Sequence, residues 1–333
     1  LHGEGHSFPT RRSSDLPNVI YLNCHDAGRY IQPYGKPVET PNLQRFARDA
    51  ALFRHAFSVA PTCSPSRAAL LTGTHPHQNG MFGLAHLGWR LNDYSEHWQH
   101  ALKQAGYTTY FTGGQHLGET EAIGYDHVLH AFGEAAAAHR AAEFLCGKRG
   151  DEPFYLEVGF SACHRIAQDM PEPEPGDDPN YVAVPPSLPD TPEVREEFAG
   201  YRALARRMDR QMGMVLDALD ESGLADNTLV ICTTDHGIDF PHMKCTLRDD
   251  GLGVFMMLRG PRDGAGSELR GGRVIEPMVT HLDVFPTLCE VCGIDKPDRL
   301  EGESLLPLVR GEVDSLHEAI FGEVTYHAAY QPM

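Results

Sequence analysis

A chain of 333 residues, 41% of them hydrophobic, can bury a large core as one domain or two. Its net charge of -18 argues against nucleic acid as a partner, although a small anionic substrate in a local basic pocket remains open. No apolar run has transmembrane length, so no membrane partner is expected.

Residues 1–16, "LHGEGHSFPTRRSSDL", carry neither an apolar signal region nor periodicity, and read as a non-native or disordered leader. The chain proper, residues 17–333, is expected to be one catalytic domain, cut short at its C-terminal end because "YHAAYQPM" has no helix cap or polar tail. "NVIYLN" (18–23) predicts a buried strand. "TPNLQRFARDAALF" (40–53) predicts a helix, with Thr40 as N-cap and Pro41 at the first helical position. "VAPTCSPSRAALLTG" (59–73) puts Cys63 ahead of an apolar, helix-like run.

"EHWQHALKQAG" (96–106) reads as helix and "YTTYFTG" (107–113) as strand, followed by helix in "HRAAEFLCG" and strand in "PFYLEVGFS". The Pro- and acid-rich segment 169–192 reads as a lid or specificity loop. A long helix from about Pro192 to Ser222 aligns Tyr201, Ala205, Met208, Met212, Val215 and Leu219 on one stripe. "NTLVICTT" and "GVFMMLRG" predict further strands, and "HLDVFPTLCEVCG" one helix ending at Gly293. Alternating strands and helices with near-continuous apolar strands predict an α/β fold: a mostly parallel central sheet with helices on both faces.

The eight cysteines lack a disulfide-framework spacing and several sit in apolar runs. They read as mostly reduced and buried, which leans towards a cytoplasmic compartment. Cys289 and Cys292 fit CxxC but read as two thiols on a core helix.

Ligands in such sheets bind beyond the carboxyl ends of the strands. Four predicted strands end in chemistry there: Cys24-His25-Asp26, Gly114-Gln115-His116, Cys163-His164-Arg165 and Asp235-His236-Gly237. Imidazole and carboxylate together suit a divalent metal, so His25, Asp26, Asp235 and His236 form the candidate ligand set. The bland alternative is that each aspartate caps a turn and each histidine packs at the sheet edge. Arg67 lies one turn after Cys63 and would pair with a derivative of Cys63 or with an oxyanion beside it. "SPSR" also opens a helix, whose N-terminal amides favour anions. Lys244 alone would be a solvated lysine; beside a metal it becomes a second cation for an oxyanion.

"CSPSRAALLTG" fits the sulfatase signature C-x-P-S-R with its apolar run and T-G, and the motif order resembles the sulfatase branch of the alkaline phosphatase superfamily. "SPSRAALLTG…HQNGMFGL", "GFSACHR" and "TTDHGIDFP" are most similar to the N-sulfoglucosamine sulfohydrolase type. The resemblance implies that a formylglycine-generating enzyme oxidises Cys63, and that the hydrated aldehyde attacks a sulfated carbohydrate. It further implies metal-binding roles for Asp26 and Asp235 and a supporting role for Arg67. His116 would deprotonate the hydrated aldehyde, His164 would act as acid at the leaving oxygen, and Lys244 would supply a cation.

Three departures bear on this. His25 stands where most sulfatases have an aspartate, and His236 where they often have asparagine. Calcium is the metal the resemblance implies, whereas two imidazoles shift preference towards manganese, zinc or iron. Gly114 replaces the usual lysine of G-K-x-H-x-G, so one sulfate-binding cation is missing. A hydrolase of phosphonate monoesters or phosphodiesters on the same scaffold, and a non-catalytic glycan-binding fragment, are the alternatives.

Overall fold

The computed structural model describes residues 16–131, 135–165, 169–324 and 326 of the 333. The expected leader, apart from Leu16, and the last seven residues of the chain end lie outside the described residues.

The strands, in chain order, are β1 (Asn18–Cys24), β2 (Ala51–Phe53), β3 (Ala56–Phe57), β4 (Thr108–Gly113), β5 (His127–Val128) and β6 (Phe154–Gly159). They continue with β7 (Thr228–Thr234), β8 (Gly253–Val254), β9 (Met256–Arg259), β10 (Val274–Ile275) and β11 (Val279–Thr280). Eight of them form one sheet in the order β10-β2-β9-β7-β1-β6-β4-β5, and β11-β3-β8 form a small second sheet. In the large sheet only β9 runs against its neighbours, pairing antiparallel with both β7 and β2. The α/β class with a mostly parallel sheet is therefore the observed one.

β1 and β7 are buried along their whole length, which is why both read as continuous runs of β-formers. Their alternation divides the core in two. Ile20, Leu22, Val230 and Cys232 face one apolar cluster with Tyr201, Met208, Met212, Val215 and Leu219 of the helix Pro192–Glu221. Val19, Tyr21, Leu229 and Ile231 face another, built on the helices Cys63–Thr72, Trp98–Gln104 and Val284–Cys292. Cys289 and Cys292 belong to this second core.

Three expectations need correction. The helix begun at Pro41 stops at Ala47, and Ala51–Phe53 is a strand between β9 and β10. Those three apolar residues are buried by pairing with distant strands, a tertiary gain that overrides local helix propensity. "GVFMMLRG" is two strands, not one: Gly253–Val254 pairs with β3, while Met256–Arg259 joins the large sheet. Segment 169–192 is mostly loop, as expected, but part of it is core. Val182 and Leu188 enter the core, and Arg206 of the long helix holds both Glu174 and the buried Asp177.

Candidate active site

The order β7-β1-β6-β4 sets four parallel strands side by side, so their polar carboxyl ends become consecutive along one edge. β7 runs out into Asp235 and His236, β1 into His25 and Asp26, β6 towards His164 and Arg165, and β4 into Gly114 and His116. Cys63 arrives at the same edge as the first residue of the helix Cys63–Thr72. That helix is buried at all ten positions, held by core contacts on one side and by polar bonds on the other.

Arg67, at 2% exposure, supplies most of those bonds. Its Nε donates to Asp235 Oδ2 (3.2 Å), Nη2 to Cys24 O (3.1 Å) and Nη1 to Gly114 O (3.4 Å). One guanidinium thus joins the ends of three strands, and Ser66 Oγ adds a bond to Asp235 O (2.5 Å). The sequence points Arg67 at a derivative of Cys63 or an oxyanion beside it; the side chain that its guanidinium bonds here is Asp235, a carboxylate with both charge and geometry for it.

At the centre, Asp235 Oδ1 accepts from the amide of Asp26 (2.8 Å), and Lys244 Nζ donates to Asp26 Oδ2 (2.7 Å). Lys244 is only 8% exposed, so it is not the solvated lysine its loop position alone would indicate. His236 Nδ1 donates to Gly237 O (2.9 Å), which leaves Nε2 as the lone-pair nitrogen. That Nε2 lies 3.3 Å from Asp26 Oδ1 and 3.3 Å from Cys63 Sγ. Asp26 and His116 have φ of 51° and 56°, the left-handed region that costs a non-glycine residue energy and recurs at functional sites.

Charge distribution follows from burial and neighbours. Burial alone would raise both carboxyls. For Asp235 it is outweighed by His236, Arg67 and His25, and for Asp26 by Lys244 and His236, so both lie below the usual carboxylate value. Burial alone would lower Lys244, but Asp26 outweighs it and holds the ammonium charged. Burial, with Arg67 nearby, pulls His25 down to about 4, and burial, with His25, pulls His116 down to about 3. Burial pushes the Cys63 thiol up, so it is not a poised thiolate.

The donor set fits a divalent cation. Ligand atoms of His25, Asp26, Cys63 and Asp235 all lie within 4.8 Å of one another, and His116 forms an overlapping group with His25 and Cys63. His25 Nδ1 and Asp26 Oδ1 are buried without a hydrogen-bond partner, although Asp235 Oδ2 stands 3.2 Å from the former. Imidazole nitrogens and carboxylate oxygens converging this closely are donors that a divalent metal could satisfy. Four of the nine predicted residues fall in that tight group, and Arg67, Lys244, His116 and His236 surround it.

His164 stands further out. It is exposed, its ring perpendicular to that of His25 at 5.5 Å, and it lines a cavity of about 290 Å³ with His25, His116, Ser161, Arg165 and Leu204. That is near the lower end for small-molecule pockets. A β-carbon placed on Gly114 would meet nothing within 4 Å, so the position of the absent lysine is open space. Sequence reading missed His86, whose ring meets that of His116 and which no spacing rule separates from the other histidines.

Residues 17–294 match the family model described as Sulfatase. Human N-sulphoglucosamine sulphohydrolase is 31% identical over 351 residues, covering 93% of this chain and 69% of that protein. An ulvan-active sulfatase of Formosa agariphila is 28% identical, covering 93% and 61%. Among solved structures, one in complex with its substrate D-glucosamine-2-N,6-O-disulfate has a TM-score of 0.70 at 18% identity, covering 91% of this chain and 82% of that one. The phosphonate monoester hydrolase of Silicibacter pomeroyi has a TM-score of 0.69 at 21% identity, covering 89% and 77%. At these identities the two structures share the fold.

Proposed function

The chain belongs to the sulfatase family, and from that premise we propose that it hydrolyses sulfate esters or sulfamates of sugars, using one divalent metal ion and a formylglycine made from Cys63. The observation that carries this reading is the convergence of His25, Asp26, Cys63 and Asp235, flanked by the buried cations of Arg67 and Lys244.

His25, Asp26, Asp235 and His236 would hold the metal, which when bound supplies positive charge to the sulfate oxygens and lowers the pKa of the nucleophile. Two imidazoles in that set favour manganese, zinc or iron over calcium. The formylglycine, once hydrated, supplies one hydroxyl to attack sulfur and a second through which sulfate is expelled. Arg67 keeps three strand ends, that of Asp235 among them, in place around that centre. Lys244 offers a fixed cation where sulfate charge grows, without reorganisation at the moment of reaction. His116, neutral at physiological pH, accepts the proton of the second hydroxyl, and His164 at the cavity rim donates one to the leaving oxygen. The similarity to proteins named for N-sulphoglucosamine and ulvan supports a sulfated carbohydrate as substrate.

The test uses protein produced with a formylglycine-generating enzyme. The Cys63 peptide is expected to lose about 18 Da, the cysteine-to-aldehyde conversion that this nucleophile class requires. The modified protein is then given metal and matched sulfate and phosphonate esters. An unmodified thiol, with the generating enzyme active on a control, would refute the mechanism. A second reading, hydrolysis of phosphonate monoesters or phosphodiesters, is favoured by the open space at Gly114 and the two histidine ligands; faster turnover of the phosphonate ester would establish it. Aldehyde at position 63 with bound metal and no turnover of either ester would leave a glycan-binding relative.

A further inference from the structure

His86 is the one ring besides His25 that closely approaches His116 among the described residues. Its Nδ1 lies 2.9 Å from His116 Nε2. The ring centroids are 5.2 Å apart with planes 11° from parallel. A centroid separation that much longer than the nitrogen–nitrogen distance places the rings edge to edge and nearly coplanar. This is the arrangement of an N–H···N hydrogen bond rather than of a face-to-face stack.

Both ends of the contact are anchored. The amide of Ala85 donates to Ser64 Oγ (3.0 Å), which fixes the segment carrying His86 to the residue after Cys63. On the other side, the Gln115 side chain accepts from the amide of Leu117 and donates to Gly118 O (2.5 Å), pinning the turn that carries His116 with its positive φ. His86 is exposed and His116 half-buried, so the pair runs from solvent to the group formed by His116, His25 and Cys63.

Two neutral imidazoles can share only one proton across that contact. His86 occupies Nε2 of His116, so a lone pair available for chemistry must be on Nδ1. That requires Nε2–H of His116 to donate to His86 Nδ1, with the single N–H proton of the exposed His86 ring on its Nε2. We propose that His86 is a positioning residue that fixes the ring plane and the Nε2–H tautomer of His116, keeping His116 Nδ1 free to accept a proton. This role rests on the reading of His116 as the base of the proposed reaction.

The test has two arms, both on the full chain. In the first, ¹⁵N shifts of the His116 ring are measured before metal is added, with the resonance assigned through His116→Gln. A pyrrole-like Nε2 and pyridine-like Nδ1 are expected in the parent, and a mixture of tautomers in His86→Ala. In the second, formylglycine- and metal-loaded protein is assayed on a sulfate ester. His86→Ala is expected to lower kcat by about tenfold, part of what general base catalysis contributes, with KM unchanged. His86→Asn, whose amide oxygen can accept from His116 Nε2–H, is expected to restore most of it. An Nδ1–H tautomer in the parent, an unchanged tautomer in His86→Ala, an effect confined to KM, or no rescue by asparagine would each overturn the proposal. A parent protein that turns over no ester would refute the catalytic reading and this role with it, while the tautomer arm would still report whether His86 orders the ring.

Discussion

Replacing Lys244 by methionine isolates one buried interaction in a way that needs no activity. Asp26 lies fully buried with its Oδ2 on Lys244 Nζ at 2.7 Å. Lys244→Met keeps the apolar stem and removes the ammonium, leaving a buried carboxylate without that charge. Breaking one side of a buried pair costs about 3–5 kcal/mol. Unfolding entropy of about 2.1 cal/mol/K per residue gives roughly 0.7 kcal/mol/K for a chain of this length, or about 1.4 °C per kcal/mol. Metal-free Lys244→Met should therefore melt about 4–7 °C below the parent at pH 7. The sign with pH follows from Asp26, whose carboxyl is held low in the folded parent. Its stabilisation is present above the unfolded carboxylate pKa and lost as pH falls through the lower folded value. In the variant Asp26 protonates more readily, so the gap between the two proteins should narrow on acidification towards pH 4. Asp26→Asn combined with Lys244→Met should recover most of the loss at pH 7, because neither partner is then left charged alone. Scanning calorimetry in chelator decides the matter: melting within about 1 °C of the parent at pH 7 would refute the buried-pair account.

Further outcomes follow from other positions. His97 is buried, caps the helix Trp98–Gln104 through Gln99 N, and is held down to about 3 by burial and then by His100. The unfolded chain takes up its proton near pH 6.5 and the folded one does not, so stability should fall between pH 6.5 and 5; His97→Asn, which keeps the cap, should flatten that slope in denaturant titrations. Gly114→Lys fills open space with a cation at the position where the family has one, and should raise sulfate-ester kcat/KM by about tenfold or more if one charge-assisted hydrogen bond is gained. No gain relative to a Gly114→Met control, in paired sulfate and phosphonate assays, would show that position 114 does not face the anion.

The four strand ends were legible because β1, β6 and β7 are largely apolar runs of strand length and β4 is a run of threonines and aromatics, each followed by a histidine or aspartate. The long helix was legible because its stripe follows the helical period, and the stripe is buried throughout. Ala51–Phe53 was not, since three residues carry no period and become a strand only through partners such as Leu258, far along the chain. The same limit explains Arg67. Helical spacing linked it to Cys63, but Asp235, distant in sequence, is the partner that its guanidinium bonds. Lys244 by its loop context alone is a surface lysine, and its buried partner Asp26 lies 218 residues away in sequence. His86 gave no signal, because its contact with His116 joins a three-residue 3-10 turn, Ala85–Leu87, to a loop, and neither is long enough to show a period.

The burial of Cys63 has a consequence in time. The residue is 2% exposed and begins a helix buried at every position. A thiol packed in this way is closed to any second protein while the helix stays in place. On the reading of Cys63 as a precursor, conversion therefore has to occur before the chain folds or while this helix is open. The active fraction is then the outcome of a race between two rates. Faster synthesis would yield more protein with the same fold and a smaller share able to turn over.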